Sequence, residues 1–212
     1  MVIVFRPAYH PEWPQERIAE FQQAFESTKL NFKGEINQYY IGNPYERPTY
    51  YQLLDEALDF CDVYFEQGIY PVIVLCNTDI GFDQSLKLAN DIPDGTMYAI
   101  SRIDVIKRPR RSEQYEIELQ EFYHPHSQDV WIMNSHTALH LDNNNCGINI
   151  QMGILGCENT YAKQVHDLMV EIINPCHSIK CYHYHQSGIR TYKEDSRYPK
   201  ENYLFIPPTK LC

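Results

Sequence analysis

A short polar segment follows the most apolar run of the chain, and its one acidic residue is suited to binding a metal ion. Residues 71–76 are apolar without alternation and lead directly into Asn77, Thr78 and Asp79. An aspartate at the mouth of a parallel sheet can hold a hard divalent cation, and such a cation binds the oxygens of a diphosphate. It would stabilise the charge left when a sugar–diphosphate bond breaks. The alternative is that Asn77 and Asp79 only cap the turn after the strand.

A second set of candidate ligands lies in the last third of the chain, where histidines and cysteines alternate with tyrosines. On an extended segment His183 and His185 would point the same way, because side chains alternate with a period of two. Neutral imidazole is a common ligand of transition metals, so this pair favours Mn²⁺ over Mg²⁺. Two alternatives remain open: a histidine pair buried in a mixed core, and a Zn²⁺ site that adds Cys176 and Cys181.

Two further carboxylates lie at positions where acid–base chemistry is feasible. Glu158 follows a glycine-rich turn and precedes a predicted helix, whose amino end favours a negative charge. Asp129 lies just ahead of an apolar strand and close to Trp131, an arrangement suited to holding a sugar. Helix capping for Glu158 and a simple turn for Asp129 explain the same patterns.

The elements that must position these residues alternate between strands and helices. Strands are predicted at residues 2–5, 35–41, 71–76, 97–101, 115–119 and 130–133. Helices are predicted around residues 18–25, from a Thr49 N-cap to about residue 65, briefly at 83–90, and from about 158 with an apolar face reaching Ile172. This order predicts an α/β fold with a mostly parallel central sheet flanked by helices, and a site at the carboxyl ends of the strands. Residues 174–212 show no strong period and are expected to wrap over the sheet.

Length and composition restrict the class of protein. The 212 residues carry a net charge of −10 and a pI near 5.3, which argues against a nucleic-acid-binding protein. No internal linker divides the chain, so one domain is expected. No apolar run approaches the roughly 18 to 20 residues that cross a bilayer. Without a secretory leader the default expectation is a cytoplasmic protein, whose seven cysteines stay reduced.

Taken together, these residues make the chain resemble the glycosyltransferases of the GT-A (Rossmann-like) fold. More narrowly, it is similar to the small glycosyltransferase domain encoded by large chlorella viruses, where such a domain begins a longer polypeptide. The resemblance implies a viral protein of the host cytoplasm, with a nucleotide-binding half at about 1–100 and an acceptor-binding half at about 101–212. The segments that carry it are 47–50 (RPTY), 77–80 (NTDI), 99–102 (AISR), 127–131 (SQDVW), 156–159 (GCEN) and 173–175 (INP).

The resemblance also implies which residues bind the donor. The family binds Mn²⁺ and the sugar nucleotide through an Asp-x-Asp motif, and the matching positions here are Asn77, Thr78 and Asp79, so the first aspartate is missing. It implies metal ligation by Asp79 with a late histidine, either His183 or His185. The donor contacts implied by the resemblance are Phe5, Arg6, Asn37, Arg47, Thr49, Asn77, Thr78, Arg102 and Arg190.

The implied reaction is transfer of a hexose or deoxyhexose from a nucleoside diphosphate, UDP first among them, to a hydroxyl of a glycan or glycoprotein. In an inverting enzyme Glu158 would be the base, with Asp129 second; in a retaining enzyme neither need be. Two alternatives stay open: a non-catalytic carbohydrate-binding module on the same fold, suggested by the missing aspartate, and a nucleotidyltransferase. The latter usually has a glycine-rich loop after the first strand, which residues 5–9 lack.

Overall fold

The chain forms ten strands and four α-helices within residues 1–109, 115–189 and 196–211, the part that the computed structural model describes. In chain order these are β1 (Val2–Pro7), α1 (Gln15–Phe32), β2 (Asn37–Ile41), α2 (Tyr50–Phe65), β3 (Val72–Cys76), β4 (Ile80–Phe82), β5 (Thr96–Ile100), β6 (Ile103–Pro109), β7 (Tyr115–Glu121), β8 (Val130–Asn134), α3 (Ser135–Asn143), α4 (Cys157–Asp167), β9 (Glu171–Ile173) and β10 (Cys181–His183). Two 3₁₀ helices span Gln84–Asp91 and Lys200–Asn202.

The central sheet has six strands in the order β2-β1-β3-β8-β5-β9. β1 pairs in parallel with both β2 and β3, and β5 pairs in parallel with β9. β8 pairs antiparallel with β3 and with β5, so five strands run one way and β8 opposes them. The predicted α/β fold with a mostly parallel sheet flanked by helices is therefore confirmed.

Both faces of the central sheet are covered, which explains why its inner strands β1 and β3 are almost wholly apolar. In β1, Ile3 and Phe5 face the core shared with α2, α3 and α4. Val2 and Val4 face a second core, which includes Phe32 of α1 and residues of the first 3₁₀ helix. All five residues of β3 are buried in the same alternating way. β3 is thus the central strand that the unbroken apolar run predicts.

A second sheet, which the sequence analysis did not predict, lies at the carboxyl end of β3. Its order is β4-β10-β6-β7, and only three residues separate the end of β3 from the start of β4. β10 runs antiparallel to β4 and parallel to β6, with His183 opposite Ile80 on one side and Asp104 on the other. Ile80, Phe82 and Cys181 belong to the second core, so both sheets form one domain. The last third of the chain therefore contributes a strand as well as irregular segments.

The predicted helix from residue 158 is shorter than its apolar pattern suggests. α4 ends at Asp167 with Leu168 as its C-cap. Met169 has a left-handed backbone (φ 63°) and is 91% exposed, so it ends the helix and does not belong to its buried face. Ile172 lies in β9, which pairs with β5. The apolar spacing at 168–172 reflects a turn into a strand, which periodicity alone does not separate from a helix.

The six cysteines among the described residues are buried free thiols, whereas Cys212 lies outside those residues. Within the same ranges no helix has the length and apolar character needed to span a bilayer.

Candidate active site

A cleft of about 770 Å³ opens where β1 and β3 end, beside the second sheet and the start of α4. The loops after β1 and β2 form one wall, and β6 with the segment after β10 forms another. Because parallel strands bring their carboxyl ends to one edge, residues from distant parts of the sequence meet here. The cleft collects nine of the predicted site residues: Arg47, Asn77, Thr78, Asp79, Arg102, Asp129, Glu158, His183 and His185.

Asp79 lies at the floor of the cleft, in the turn between β3 and β4, and is only 3% exposed. Its Oδ2 lies 2.6 Å from Arg17 Nη2 and 3.2 Å from His183 Nε2. Burial opposes ionisation of this carboxyl, but the charges of His183 and Arg17 outweigh it and hold the pKa of Asp79 well below its usual range. Asp79 is therefore a buried carboxylate.

His183 is fixed by two carboxylates. His183 lies in β10, which pairs with β4 on one side and β6 on the other. As a result, Nδ1 of His183 lies 2.8 Å from Asp104 Oδ1, and Nε2 of His183 points toward Asp79. Burial alone would lower the pKa of His183, but the charge of Asp79 and the hydrogen bond to Asp104 raise it to about 9. His185 lies two residues on, with Nδ1 3.9 Å from Asp79 Oδ2, and burial together with Arg17 lowers its pKa.

The residues Asp79, His183 and His185 fit a divalent transition metal. One ligand atom from each lies within 4.8 Å of the others. Among the residues that the structure describes, His185 Nε2 is buried without a hydrogen-bond partner. Asp104 contacts Nδ1 of His183, the ring nitrogen that points away from Asp79, as carboxylates commonly do next to metal-binding histidines. One carboxylate oxygen with two imidazole nitrogens suits Mn²⁺ and similar ions.

Neither cysteine of the alternative Zn²⁺ site joins this group in the described residues. Cys176 and Cys181 are fully buried in the second core, and Cys181 Sγ lies 3.6 Å from the carbonyl oxygen of Ser101. Burial raises the pKa of both thiols, which disfavours the thiolate that Zn²⁺ requires.

Arg102 joins the histidine side of the cleft to Asp129. Its Nε donates to Asp104 Oδ1 at 2.8 Å, and its Nη1 donates to Asp129 Oδ2 at 2.9 Å. Asn77 Nδ2 donates to Asp129 Oδ1 at 2.9 Å, so both oxygens of Asp129 are occupied. These contacts hold the two predicted residues Asn77 and Arg102 in place through Asp129.

Glu158 approaches the cleft from the first turn of α4. Gly156 precedes this turn with φ +82°, a backbone conformation that favours glycine and brings the helix start toward the cleft. Burial, and then the nearby charge of Asp129, raise the pKa of Glu158 to about 7. A carboxyl that titrates near neutral pH is suited to accepting a proton there.

Three charged residues of the site were not predicted from the sequence. Arg17 and Glu20 lie one turn apart on α1, and Arg17 contacts both Glu20 and Asp79 at 2.6 Å. Asp104 lies in β6, a strand that was itself not predicted. On the sequence these three look like ordinary surface charges, since only the fold brings them beside Asp79.

Four of the predicted donor-binding residues do not line the cleft, and a fifth is not described. Phe5 is fully buried and packs against Tyr39 and Phe60, while Asn37 lies at the amino end of β2, away from the strand ends that form the cleft. The other three are accounted for as follows: Arg6 is fully buried and donates to the carbonyl of Ile80, Thr49 caps α2 through Gln52, and Arg190 lies outside the described residues.

No protein-family model matches the chain, and no curated protein matches its sequence. The chain is similar to a solved structure described as the crystal structure of a glycosyltransferase involved in the glycosylation of the major capsid of PBCV-1. The match covers 86% of this chain and 93% of that chain, with a TM-score of 0.44 and 8% sequence identity. A likeness this loose carries no conclusion about activity, which is inferred from the residues of the cleft.

Proposed function

We propose that the protein is a metal-dependent glycosyltransferase. It would move a hexose or deoxyhexose from a nucleoside-diphosphate sugar, UDP-linked in the first instance, to a hydroxyl of a glycan or glycoprotein. The observation that carries the proposal is that Asp79, His183 and His185 converge at the carboxyl end of β3, in the same cleft as Glu158. A metal-ligand set and a base of suitable pKa are the two requirements of this reaction in its inverting form.

Asp79, His183 and His185 would hold the metal, for which Mn²⁺ fits best and Mg²⁺ is second. When bound, such an ion supplies positive charge to the leaving diphosphate. Asp104 orients His183 from behind through its 2.8 Å contact with Nδ1. This arrangement leaves Nε2 of His183 directed at Asp79 and at the proposed metal position.

Glu158 is the base of the proposed reaction and Asp129 is the weaker candidate. Burial and the charge of Asp129 raise the pKa of Glu158 to about 7, so it can accept the acceptor's proton near neutral pH. Asp129 instead uses both oxygens to accept hydrogen bonds from Arg102 and Asn77. It is better suited to positioning those two side chains and to raising the pKa of Glu158.

The donor would lie between the metal ligands and the loops after β1 and β2. Arg47 and Thr78 line this part of the cleft, as do the aromatic rings of Trp13 and Tyr45. Arginine suits a diphosphate and aromatic rings stack on nucleobases. UDP is proposed from the resemblance of the sequence to its family, and these side chains are compatible with it.

A non-catalytic carbohydrate-binding module is the second candidate, and one contact favours it. Arg17 already neutralises Asp79 at 2.6 Å, and Asn77 stands where the family has its first aspartate. A cleft whose acidic residue is balanced by an arginine has less need of a metal. Such a module would bind glycans without cleaving a sugar nucleotide.

Release of UDP from a panel of UDP-hexoses in Mn²⁺ separates the two candidates. We expect the unaltered protein to release UDP, Asp79→Asn to lose the activity, and Glu158→Gln to slow transfer roughly 100-fold or more. Asp167→Asn and Glu171→Gln change exposed carboxylates outside the cleft and serve as matched controls. No UDP release from any donor, with retained glycan binding, would contradict the glycosyltransferase and support the module.

A further inference from the structure

Arg17 contacts the very oxygen that faces both histidines of the proposed metal site. Its Nη2 lies 2.6 Å from Asp79 Oδ2, the same atom that lies 3.2 Å from His183 Nε2 and 3.9 Å from His185 Nδ1. We propose that Arg17 is a resident counter-cation, a role that depends on the metal site of the proposed function. It balances Asp79 when no metal is bound and thereby lowers the affinity of the site for a divalent cation.

The guanidinium is held in this position by more than Asp79. Nη1 donates to Glu20 Oε2 at 2.6 Å, and the group lies over the ring of Phe21, 4.6 Å from its centroid. Glu20 is itself anchored, since its Oε1 accepts from the backbone N–H groups of Gln186 and Ser187 at 2.6 and 2.5 Å. Arg17 is therefore tied to the segment that directly follows His185.

Burial makes this charge effective. The side chains of Arg17 and Asp79 are 10% and 5% exposed, so water screens their interaction little. A divalent cation sharing Asp79 Oδ2 would lie beside the positive charge of Arg17, and like charges at that separation repel strongly in a protein interior. This repulsion therefore lowers the affinity for the metal unless the guanidinium moves away from Asp79.

Within the described part of the chain, one nitrogen of the guanidinium makes no hydrogen bond in this position. Nε of Arg17 is buried without a hydrogen-bond partner among the described residues. Because Arg17 also lines the cleft, a second position of its side chain that gives this donor a partner is open to it when the site is loaded.

Calorimetric titration of Mn²⁺ alone, without nucleotide, tests the role of Arg17 independently of catalysis. We expect Arg17→Gln to bind Mn²⁺ about tenfold more tightly, or better, than the unaltered protein. Lys107→Gln is the matched control, because Lys107 also lines the cleft but is exposed and makes no ion pair with Asp79 among the described contacts. Its Mn²⁺ affinity should stay within about threefold of the unaltered protein.

Arg17→Met provides a second variant, which matters if Arg17→Gln does not fold. Methionine keeps a long apolar side chain against the ring of Phe21 but removes the positive charge beside Asp79. We therefore expect it, too, to bind Mn²⁺ about tenfold more tightly than the unaltered protein. Thermal unfolding of each variant without metal identifies those that fold.

The outcomes separate this inference from the proposed function. Tighter Mn²⁺ binding by Arg17→Gln or by Arg17→Met, with Lys107→Gln unchanged, supports the counter-cation. Binding by the unaltered protein that neither variant alters overturns it and leaves the metal site standing. No Mn²⁺ binding by the unaltered protein or by any folded variant overturns both the counter-cation and the metal-dependent function.

Discussion

At the scale of single residues, seven charged side chains around Asp79 form one connected series of contacts. Each acidic group is paired with a cation, and each cation contacts two acids. The series runs through Glu20, Arg17, Asp79, His183, Asp104, Arg102 and Asp129. Removing one member leaves a neighbouring charge uncompensated, which is costly in a buried site. Variants should therefore be chosen to keep shape, such as aspartate to asparagine.

Glu158 gives a prediction about the pH dependence of activity. Its pKa of about 7 means that the ionised, proton-accepting form is lost as the pH falls through 7. We expect kcat/KM for sugar transfer to rise with pH and level off above about 7, with roughly a tenfold loss for each pH unit below. A pH–rate profile measures this directly. A profile that stays flat from pH 5 to 8 would exclude Glu158 as the base.

The same residue gives a prediction about stability that does not depend on function. Burial raises the pKa of Glu158 from 4.5 to about 7 in the folded protein, so the folded state binds this proton more tightly than the unfolded chain does. The stabilisation that protonation of Glu158 contributes is fully present below about pH 4.5, and it is lost as the pH rises through 7. We expect Glu158→Gln to raise the free energy of unfolding at pH 8, on the order of 2 kcal/mol, but not at pH 4.5.

Urea unfolding of both proteins at the two pH values provides the measurement. Exposed Glu171, at the start of β9, offers a control in Glu171→Gln. An equal effect of Glu158→Gln at both pH values would mean that Glu158 titrates normally.

At the scale of elements, the start of α2 shows what Thr49 does. Thr49 Oγ1 accepts from the backbone N–H of Gln52 at 3.1 Å, and Gln52 Oε1 accepts from the N–H of Thr49 at 2.8 Å. This capping box uses the hydroxyl that the resemblance assigns to the donor. We expect Thr49→Ala to cost about 1 kcal/mol of stability and to leave the UDP affinity unchanged.

Chemical unfolding and UDP calorimetry of Thr49→Ala check this prediction. Thr49→Ser keeps the hydroxyl and should unfold like the unaltered protein. Loss of UDP affinity with intact stability in Thr49→Ala would instead return Thr49 to the donor site.

The entry into α4 depends on Gly156. Its φ of +82° suits glycine, and an added Cβ would overlap the hydroxyl of Tyr203. We expect Gly156→Ala to cost more than about 2 kcal/mol and to slow transfer, because the strain is transmitted to Glu158 two residues later. Gly153→Ala is the matched comparison: Gly153 has a similar φ of +72°, but its nearest neighbour is 3.5 Å from a Cβ. That variant should cost only about 1 kcal/mol.

Thermal unfolding of the two glycine variants measures the difference. Equal losses of stability would mean that the contact with Tyr203 does not restrict the start of α4.

Elements with a strong local pattern were predictable, whereas those built by distant pairing were not. The apolar runs of β1 and β3 and the helical stripe of α2 are local patterns of this kind, and all three elements form. β4, β9 and β10 have three residues each, which is too few to show a period. They form because each pairs with a neighbouring strand that lies far away in the sequence. α3 did carry a signal: Asn134 caps it by accepting from the N–H of Thr137. That cap was not recognised in the sequence.

At the scale of the whole molecule, the site depends on contacts between residues far apart in the sequence. Arg17 and Asp79 are 62 positions apart, and Asp104 and His183 are 79 apart. Asp79, His183, His185 and Glu158 could be predicted because each lies in a recognisable local setting. Arg17 and Asp104 could not, because their role arises only when β10 inserts between β4 and β6 and α1 packs beside β4.

The central claim is that Asp79 and a divalent metal together bind the diphosphate of the donor. Calorimetric titration of UDP tests it most directly, with Mn²⁺, with EDTA, and with Mn²⁺ in a folded Asp79→Asn variant. We predict binding to the unaltered protein in Mn²⁺, and binding about tenfold weaker or absent both in EDTA and in Asp79→Asn. Asp167→Asn should bind UDP like the unaltered protein. Equal UDP affinity in all these conditions, or no UDP binding in any of them, would contradict the claim.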